Sequence, residues 1–294
     1  MKRRLLVISL LLTLSVLASA ATKRALVVVI GDYPAQSGWN SLAGHNDKAI
    51  VLEMLEQNGF RPADIVCLED ASATYDGILA ALQNLQKAAR PGDQIYIHFS
   101  CHGQQITDLD GDEALRVPQD YLDEALVPYD AAIAYDWHGY KGEHHLTDDI
   151  LSQHLSALQK AVGKQGRVLL VADACHSGDV QRAEDVEDAP FRGTFDTFKL
   201  PLTGRKSTPV SLEETWITIS ACKDFQTNFE VTVDSVRYGR LTCAICQVFK
   251  PGMTPEALRE AIQREYQRHP LPSGKHQTVE LKGPSNLMHK PVFK

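Results

Sequence analysis

Residues 167–178 read Arg-Val-Leu-Leu-Val-Ala-Asp-Ala-Cys-His-Ser-Gly. Val168 to Ala172 is unbroken apolar sequence, the pattern of a strand buried on both faces of a parallel sheet. It ends on a carboxylate, Asp173, with a thiol, Cys175, two residues later. Ser177 and Gly178 keep the space beyond the thiol open. A second stretch has the same form: Asp93-Gln94-Ile95-Tyr96-Ile97-His98-Phe99 is followed by Ser100-Cys101-His102-Gly103. Two apolar strands, each ending in a reactive side chain, decide how the rest of the chain is read.

Upstream, Ala25 to Ile30 is apolar and β-branched and stops at Gly31-Asp32, which predicts a buried parallel strand. Asn46 to Asn58 has helical spacing and ends before Gly59. Asp64 to Leu68 predicts a strand, and Thr74 to Ala89 a helix closed by Pro91-Gly92. Thr147 to Val162 predicts a helix, with Thr147 as N-cap and Asp148 and Asp149 in its first turn. Thr215 to Ser220 predicts another strand, Arg240 to Phe249 and Pro255 to Arg268 two further helices, and the residues from Pro270 onward irregular or edge structure. Strands alternating with helices imply an α/β domain with a mainly parallel central sheet covered on both faces. From Val180 to Glu214 the pattern fails and Pro and Gly recur, which predicts a long exposed linker. The boundaries are therefore 1–20, 21–179, 180–214 and 215–294, the second and fourth being parts of one domain.

Residues 1–20 have the form of a secretory signal. Lys2, Arg3 and Arg4 precede an apolar run from Leu5 to Leu17, and Ala18-Ser19-Ala20 is a small-residue cleavage site before Ala21. The run is short for a membrane span, and no later stretch is long enough, so export to the periplasm or the exterior is expected. The alternative is an uncleaved N-terminal anchor. The net charge of -7 offers no broad basic face for nucleic acid. Of six cysteines, Cys243 and Cys246 form a CxxC with no partner motif for zinc, and their apolar helical setting favours packing.

Parallel sheets place their sites where strand carboxyl ends meet loops. His102 and Cys175 both fall there. A thiol becomes a strong nucleophile as thiolate, and an imidazole can take its proton. The backbone N–H groups of Gly103 and Cys175 can together form an oxyanion hole. No Gly-x-Ser-x-Gly elbow supports a serine hydrolase.

These blocks resemble the His and Cys motifs of the caspase-like cysteine peptidases (peptidase family C14), the metacaspases above all. Ser100-Cys101-His102-Gly103 is similar to the family's Ser-Gly-His-Gly, and Asp173-Ala174-Cys175-His176-Ser177-Gly178 to its Asp-x-Cys-His-Ser-Gly. The blocks at Asp108–Glu113, Asp123–Asp130 and Leu146–Asp149 also resemble metacaspase patterns, in order. The resemblance implies a caspase-like three-layer α/β/α sandwich, with His102 as general base and Cys175 as nucleophile. It also implies a pocket for basic side chains lined by Asp47, Ser100 and Asp173, and hence cleavage after Arg or Lys in protein or peptide substrates. Asp47 is equally read as an ordinary acid of a helix's first turn. Many relatives need calcium, and the resemblance points to Asp148 and Asp149, with Asp123, as its ligands. A solvated acidic loop is the other reading. Asp108, Asp110 and Asp112 begin like an EF-hand loop, but Gln119 stands where the bidentate Glu belongs. No cofactor is required for the chemistry.

Two departures from the family pattern stand out. Cys101 replaces a glycine beside His102, and Arg182 stands where acids are usual. The linker holds Arg192, Arg205 and Lys206, at which a basic-specific enzyme can cut itself. A monomer is expected. The rival reading is a catalytically silent caspase-like module that binds partners.

Overall fold

The computed structural model describes residues 21–109, 111, 113, 121–136, 138–175, 190–201, 215–223, 226–271 and 275–293. In chain order the strands are β1 (Lys23–Val29), β2 (Ile65–Glu69), β3 (Gln94–Ser100), β4 (Gly103–Thr107), β5 (Leu122–Leu126), β6 (Leu146–Thr147), β7 (Arg167–Asp173), β8 (Ile217–Ser220), β9 (Glu230–Val233), β10 (Val236–Gly239) and β11 (Glu280–Lys282). The helices are α1 (Gly44–Gln57), α2 (Tyr75–Ala88), α3 (Asp148–Val162), α4 (Arg240–Val248), α5 (Pro255–Arg268) and α6 (Ser285–Met288).

Six strands form the main sheet in the order β11-β8-β7-β3-β1-β2. All neighbours run parallel except β11, which pairs antiparallel with β8 at the edge. Side chains of β1 alternate between two cores, as a twofold strand period requires. Leu26 and Val28 join a cluster with Ile78 and Leu82 of α2 and Leu155 and Leu158 of α3. Ala25, Val27 and Val29 join another with Met54 and Leu55 of α1, Ile245 of α4 and Ile262 of α5. Helices therefore cover both faces, and the expected three-layer α/β/α architecture is present. That is why the central strands read as continuous apolar runs.

The helices expected from spacing lie within two residues of their observed bounds. Thr74 caps α2 by accepting from the Gly77 N–H. Thr147 occupies the N-cap of α3 but makes no capping bond through its side chain. Smaller elements escaped the periodicity: a three-stranded sheet β4-β5-β6 and the hairpin β9-β10. Their strands run two to five residues, too short to show a period.

The linker departs from expectation. It was expected to be exposed, yet within its described part, 190–201, Arg192 and Phe198 are buried at 0% and 1% exposure. Gly103 bridges Gly193, Ile106 bridges Phe198 and Phe191 bridges Phe229, so this segment runs along sheet edges rather than through solvent. The Pro and Gly content that suggested a loop is equally the mark of chain that makes only isolated bridges. The signal-like residues 1–20 lie outside the described residues, as do His176, Ser177, Gly178, Arg182, Arg205 and Lys206. Among the described residues, no helix is long and apolar enough to cross a membrane.

Candidate active site

Adjacent strands β3 and β7 are in register, with Ser100 opposite Asp173, and β1 meets the same line through Val29 opposite Ser100. His102 and Cys175 each stand two residues beyond that line. Parallel pairing thus brings the two candidate reactive residues to one edge although 73 positions separate them in sequence.

His102 is buried. Its Nε2 donates to the Asn40 carbonyl at 2.8 Å, its ring stacks on Trp39 at 4.7 Å, and its backbone N–H donates to Tyr33 Oη at 3.1 Å. Donation from Nε2 selects the tautomer in which Nδ1 is unprotonated, and Nδ1 has no hydrogen-bond partner among the described residues. Burial pushes the imidazole down to about 4, against the pull of the Asn40 carbonyl, so it is neutral at pH 7 and Nδ1 carries a lone pair. The Cys175 thiol donates to the Gln226 carbonyl at 3.4 Å. Cys101, which replaces a glycine beside His102, packs into the apolar core, and burial pushes its thiol up to about 12.

The backbone carbonyl of Arg192 accepts from the Cys175 N–H at 2.8 Å and from the Gly103 N–H at 3.3 Å. These are the two donors expected to form an oxyanion hole. The Arg192 guanidinium enters the acidic cluster behind them. Nη2 bonds Asp47 Oδ2 at 2.6 Å and Glu230 Oε1 at 3.0 Å, Nη1 bonds Ser100 Oγ at 2.6 Å, and Asp173 Oδ2 lies 4.0 Å away. Burial alone would lower the Arg192 pKa, but Asp47, Asp173 and Glu230 overcome it and hold the cation above its ordinary value. Burial raises Asp47 to about 6, with Arg192 opposing and Asp173 reinforcing. Gly193 follows directly: a Cβ there would stand 2.6 Å from the Cys175 carbonyl oxygen, so only glycine lets the chain pass so close.

The cluster is held from behind by α4. Thr242 N–H and Oγ donate to Asp173 Oδ2 at 2.8 and 2.6 Å, and Gly239 N–H donates to Asp47 Oδ1 at 2.9 Å. The first turn of a helix stabilises carboxylates through its unpaired N–H groups and dipole. Tyr96 Oη donates to His98 Nδ1 at 3.0 Å and His98 Nε2 donates to Thr242 Oγ at 3.0 Å, which directs the threonine proton onto Asp173. Asn228 Nδ2 donates to Asp173 Oδ1 at 2.7 Å. A Cβ on Gly239 would lie 2.6 Å from Arg192 Cζ, so this position too demands glycine.

Asp47, Ser100 and Asp173, the residues the resemblance assigns to a pocket for basic side chains, surround the guanidinium of the chain's own Arg192. Asp47 belongs to the first turn of α1 as well, but it is fully buried and serves the cluster. Sequence reasoning missed Glu230, His98, Thr242, Asn40 and Trp39. Only the dipeptide Arg192-Gly193, a basic residue before the smallest one, was a visible signal. Asp123 of β5 and Asp148–Asp149 of α3 lie elsewhere: the antiparallel pairing of Ala125 with Thr147 directs them toward one end of the β5-β6 pair. Among the described residues, the three side chains whose ligand atoms already lie within 4.8 Å of one another are Asp32, His45 and Asp70.

The family model of the metacaspase, peptidase C14 domain matches residues 23–183, more than half of the chain. Metacaspase-1 of Kluyveromyces lactis is 35% identical over 142 residues, covering 46% of this chain and 29% of that protein. Metacaspase-1B of Aspergillus terreus is 35% identical over 170 residues, covering 54% and 40%. The chain thus spans less than half the length of these curated relatives. Among solved structures, a Geobacter sulfurreducens protein superposes with a TM-score of 0.63 at 22% identity, covering 92% of this chain and 98% of that one. Caspase-1 of Spodoptera frugiperda superposes with a TM-score of 0.56 at 10% identity, covering 94% of each. Sequence family and fold coincide: the chain belongs to the metacaspase, peptidase C14 domain family, a family of cysteine peptidases with the caspase-like fold.

Proposed function

We propose that this protein is a cysteine endopeptidase that cleaves after Arg, with Cys175 as nucleophile and His102 as general base. The observation that carries this reading is Arg192. Its side chain fills the acidic pocket, its carbonyl takes both N–H groups beside the thiol, and Gly193 continues past Cys175. That is how a substrate's residue before the scissile bond must lie. In the reaction, Nδ1 of His102 removes the thiol proton and the sulfur attacks the carbonyl carbon. The oxygen, now negative, is held by Gly103 and Cys175 N–H. His102 then passes its proton to the leaving amine, and water attacking the thioester regenerates the thiol and releases the acid.

Of the basic residues in the linker, Arg192 is the one this mechanism cuts in its own chain. Purified wild type and Cys175→Ala protein are compared by mass spectrometry. A break between Arg192 and Gly193 in wild type alone is expected; identical intact chains would sink the proposal. The silent-module reading draws on the same buried plug, and it requires that bond to remain whole and Arg-ending fluorogenic peptides to stay uncut.

Asp123, Asp148 and Asp149 suit a hard cation by ligand type. We propose calcium as an activator there; Asp123, Asp148 and Asp149 would hold it, and it would supply no chemistry at the thiol. Turnover of Arg-ending peptides with calcium and with chelator tests this. Export is proposed from residues 1–20, with Ala21 as the new N-terminus, to be read by N-terminal sequencing of the exported protein.

A further inference from the structure

The linker is anchored twice. Six residues beyond Arg192, Phe198 is 1% exposed in a pocket remote from the acidic cluster. Its ring lies 4.6 Å from His145 and 5.6 Å from Tyr140, nearly perpendicular to the latter, and 6.2 Å from Tyr135, with Ile106 and Ala125 completing the cluster. The walls are fixed by polar bonds that do not involve Phe198. Tyr140 Oη donates to His145 Nδ1 at 2.7 Å, and His145 Nε2 donates to Gln104 Oε1 at 2.8 Å. Gln104 Nε2, fully buried, then donates to the carbonyls of Ile133 and Asp196, both at 2.9 Å. The backbone at Phe198 is paired as well: its N–H donates to the Gln105 carbonyl at 2.7 Å and its carbonyl accepts from Thr107 N–H at 3.0 Å. Gly142 borders the ring at φ +91°, where a Cβ would stand 2.9 Å from it.

Resting on the reading of Arg192-Gly193 as the bond presented to Cys175, we propose that this pocket is a second binding site on the leaving-group side, specific for an aromatic side chain six residues after the scissile Arg, and that Phe198 fills it as a latch. Hydrolysis of Arg192-Gly193 leaves the segment from Gly193 to Leu200 still paired with β4 and still anchored by its ring. A tethered occupant binds at the high effective concentration its short linker imposes, so it outcompetes a free peptide at ordinary concentrations. Cutting the linker therefore does not by itself empty the leaving-group side of the cleft, which Gly193 to Leu200 still cover; release of Phe198 does. A substrate that carries an aromatic residue at the same spacing competes for the vacated pocket.

The test uses full-length wild type and Phe198→Ala, with Phe198→Leu as a conservative second variant. Turnover of a short Arg-ending fluorogenic peptide is measured alone and with peptides copying residues 193–201, carrying either Phe or Ala at position 198. Expected is a kcat/KM in Phe198→Ala at least about tenfold above wild type, with Phe198→Leu between them. The Phe-containing peptide should inhibit Phe198→Ala at a concentration about tenfold below the Ala peptide, and wild type should not distinguish the two. Separately, amide hydrogen exchange of residues 190–200 is compared in Cys175→Ala and Cys175→Ala/Phe198→Ala, and faster exchange in the latter is expected. Unchanged turnover with equal inhibition by both peptides, or unchanged exchange, overturns the latch. If no variant turns over the Arg peptide, the peptidase reading fails, and the exchange comparison still decides the latch.

Discussion

The N–H of Cys175 donates to the carbonyl of Arg192 at 2.8 Å, so the residue proposed as nucleophile binds the backbone of the residue proposed as its substrate. One contact joins the linker, the oxyanion donors and the acidic pocket, because the Arg192 side chain continues into Asp47, Ser100 and Glu230.

Arg192→Ala removes the fully buried cation that Asp47, Asp173 and Glu230 surround. Breaking a buried ion pair from one side costs about 3–5 kcal/mol. A lowered midpoint of thermal unfolding is expected, partly restored by agmatine, whose guanidinium can refill the pocket. A variant as stable as wild type, or one indifferent to agmatine, would contradict the role given to the cluster.

Glu230→Gln retains the shape of the side chain but weakens one arm of the guanidinium fork. Charge-assisted bonds contribute about 1.5–3 kcal/mol. The ratio of kcat/KM for Arg-ending over Lys-ending peptides is expected to fall by roughly tenfold or more, because an ammonium lacks the planar fork whose Nη2 serves Asp47 and Glu230 while Nη1 serves Ser100. An unchanged ratio would remove Glu230 from specificity.

His102→Ala removes the proposed proton acceptor. A loss of about 10²–10⁴ in the rate of Arg192-Gly193 cleavage is expected, followed by the fraction of chain cut against time. Cleavage at the wild-type rate would rule out the base.

His98, His102 and His145 are all pushed down to about 4 by burial. Below pH 6.5 the unfolded chain binds protons at these positions while the folded chain refuses them until about pH 4. Their contribution is therefore complete above 6.5 and is lost as pH falls between those values, at up to about 1.4 kcal/mol per pH unit for each. Urea unfolding at pH 7, 5.5 and 4.5 should show this decline, and a flat profile would refute it.

Burial makes the Cys101 thiol inert, since the thiolate is the reactive form. In native protein with the latch weakened by Phe198→Ala, iodoacetamide should label Cys175 and spare Cys101. Modification of Cys101 at a comparable rate would show that its packing is looser than described.

The sequence by itself determined the layers and the edge. Apolar runs such as Val168–Ala172 can be satisfied only between two covering layers, and the parallel pairing this entails carries His102 and Cys175 to one end. Through the resemblance of their blocks to a known family it also singled out Ser100 and Asp173 at strand ends and Asp47 in the first turn of α1. What only the tertiary structure decided was who meets whom across the sheet. Glu230 stands on a four-residue strand with no motif around it, and it reaches the pocket because the β9-β10 hairpin docks against α1. The linker's Pro and Gly residues were read as solvent-exposed chain. Burial of Arg192 and Phe198 depends on a charge cluster and an aromatic pocket assembled from distant segments, and no local pattern encodes a partner that only folding brings near.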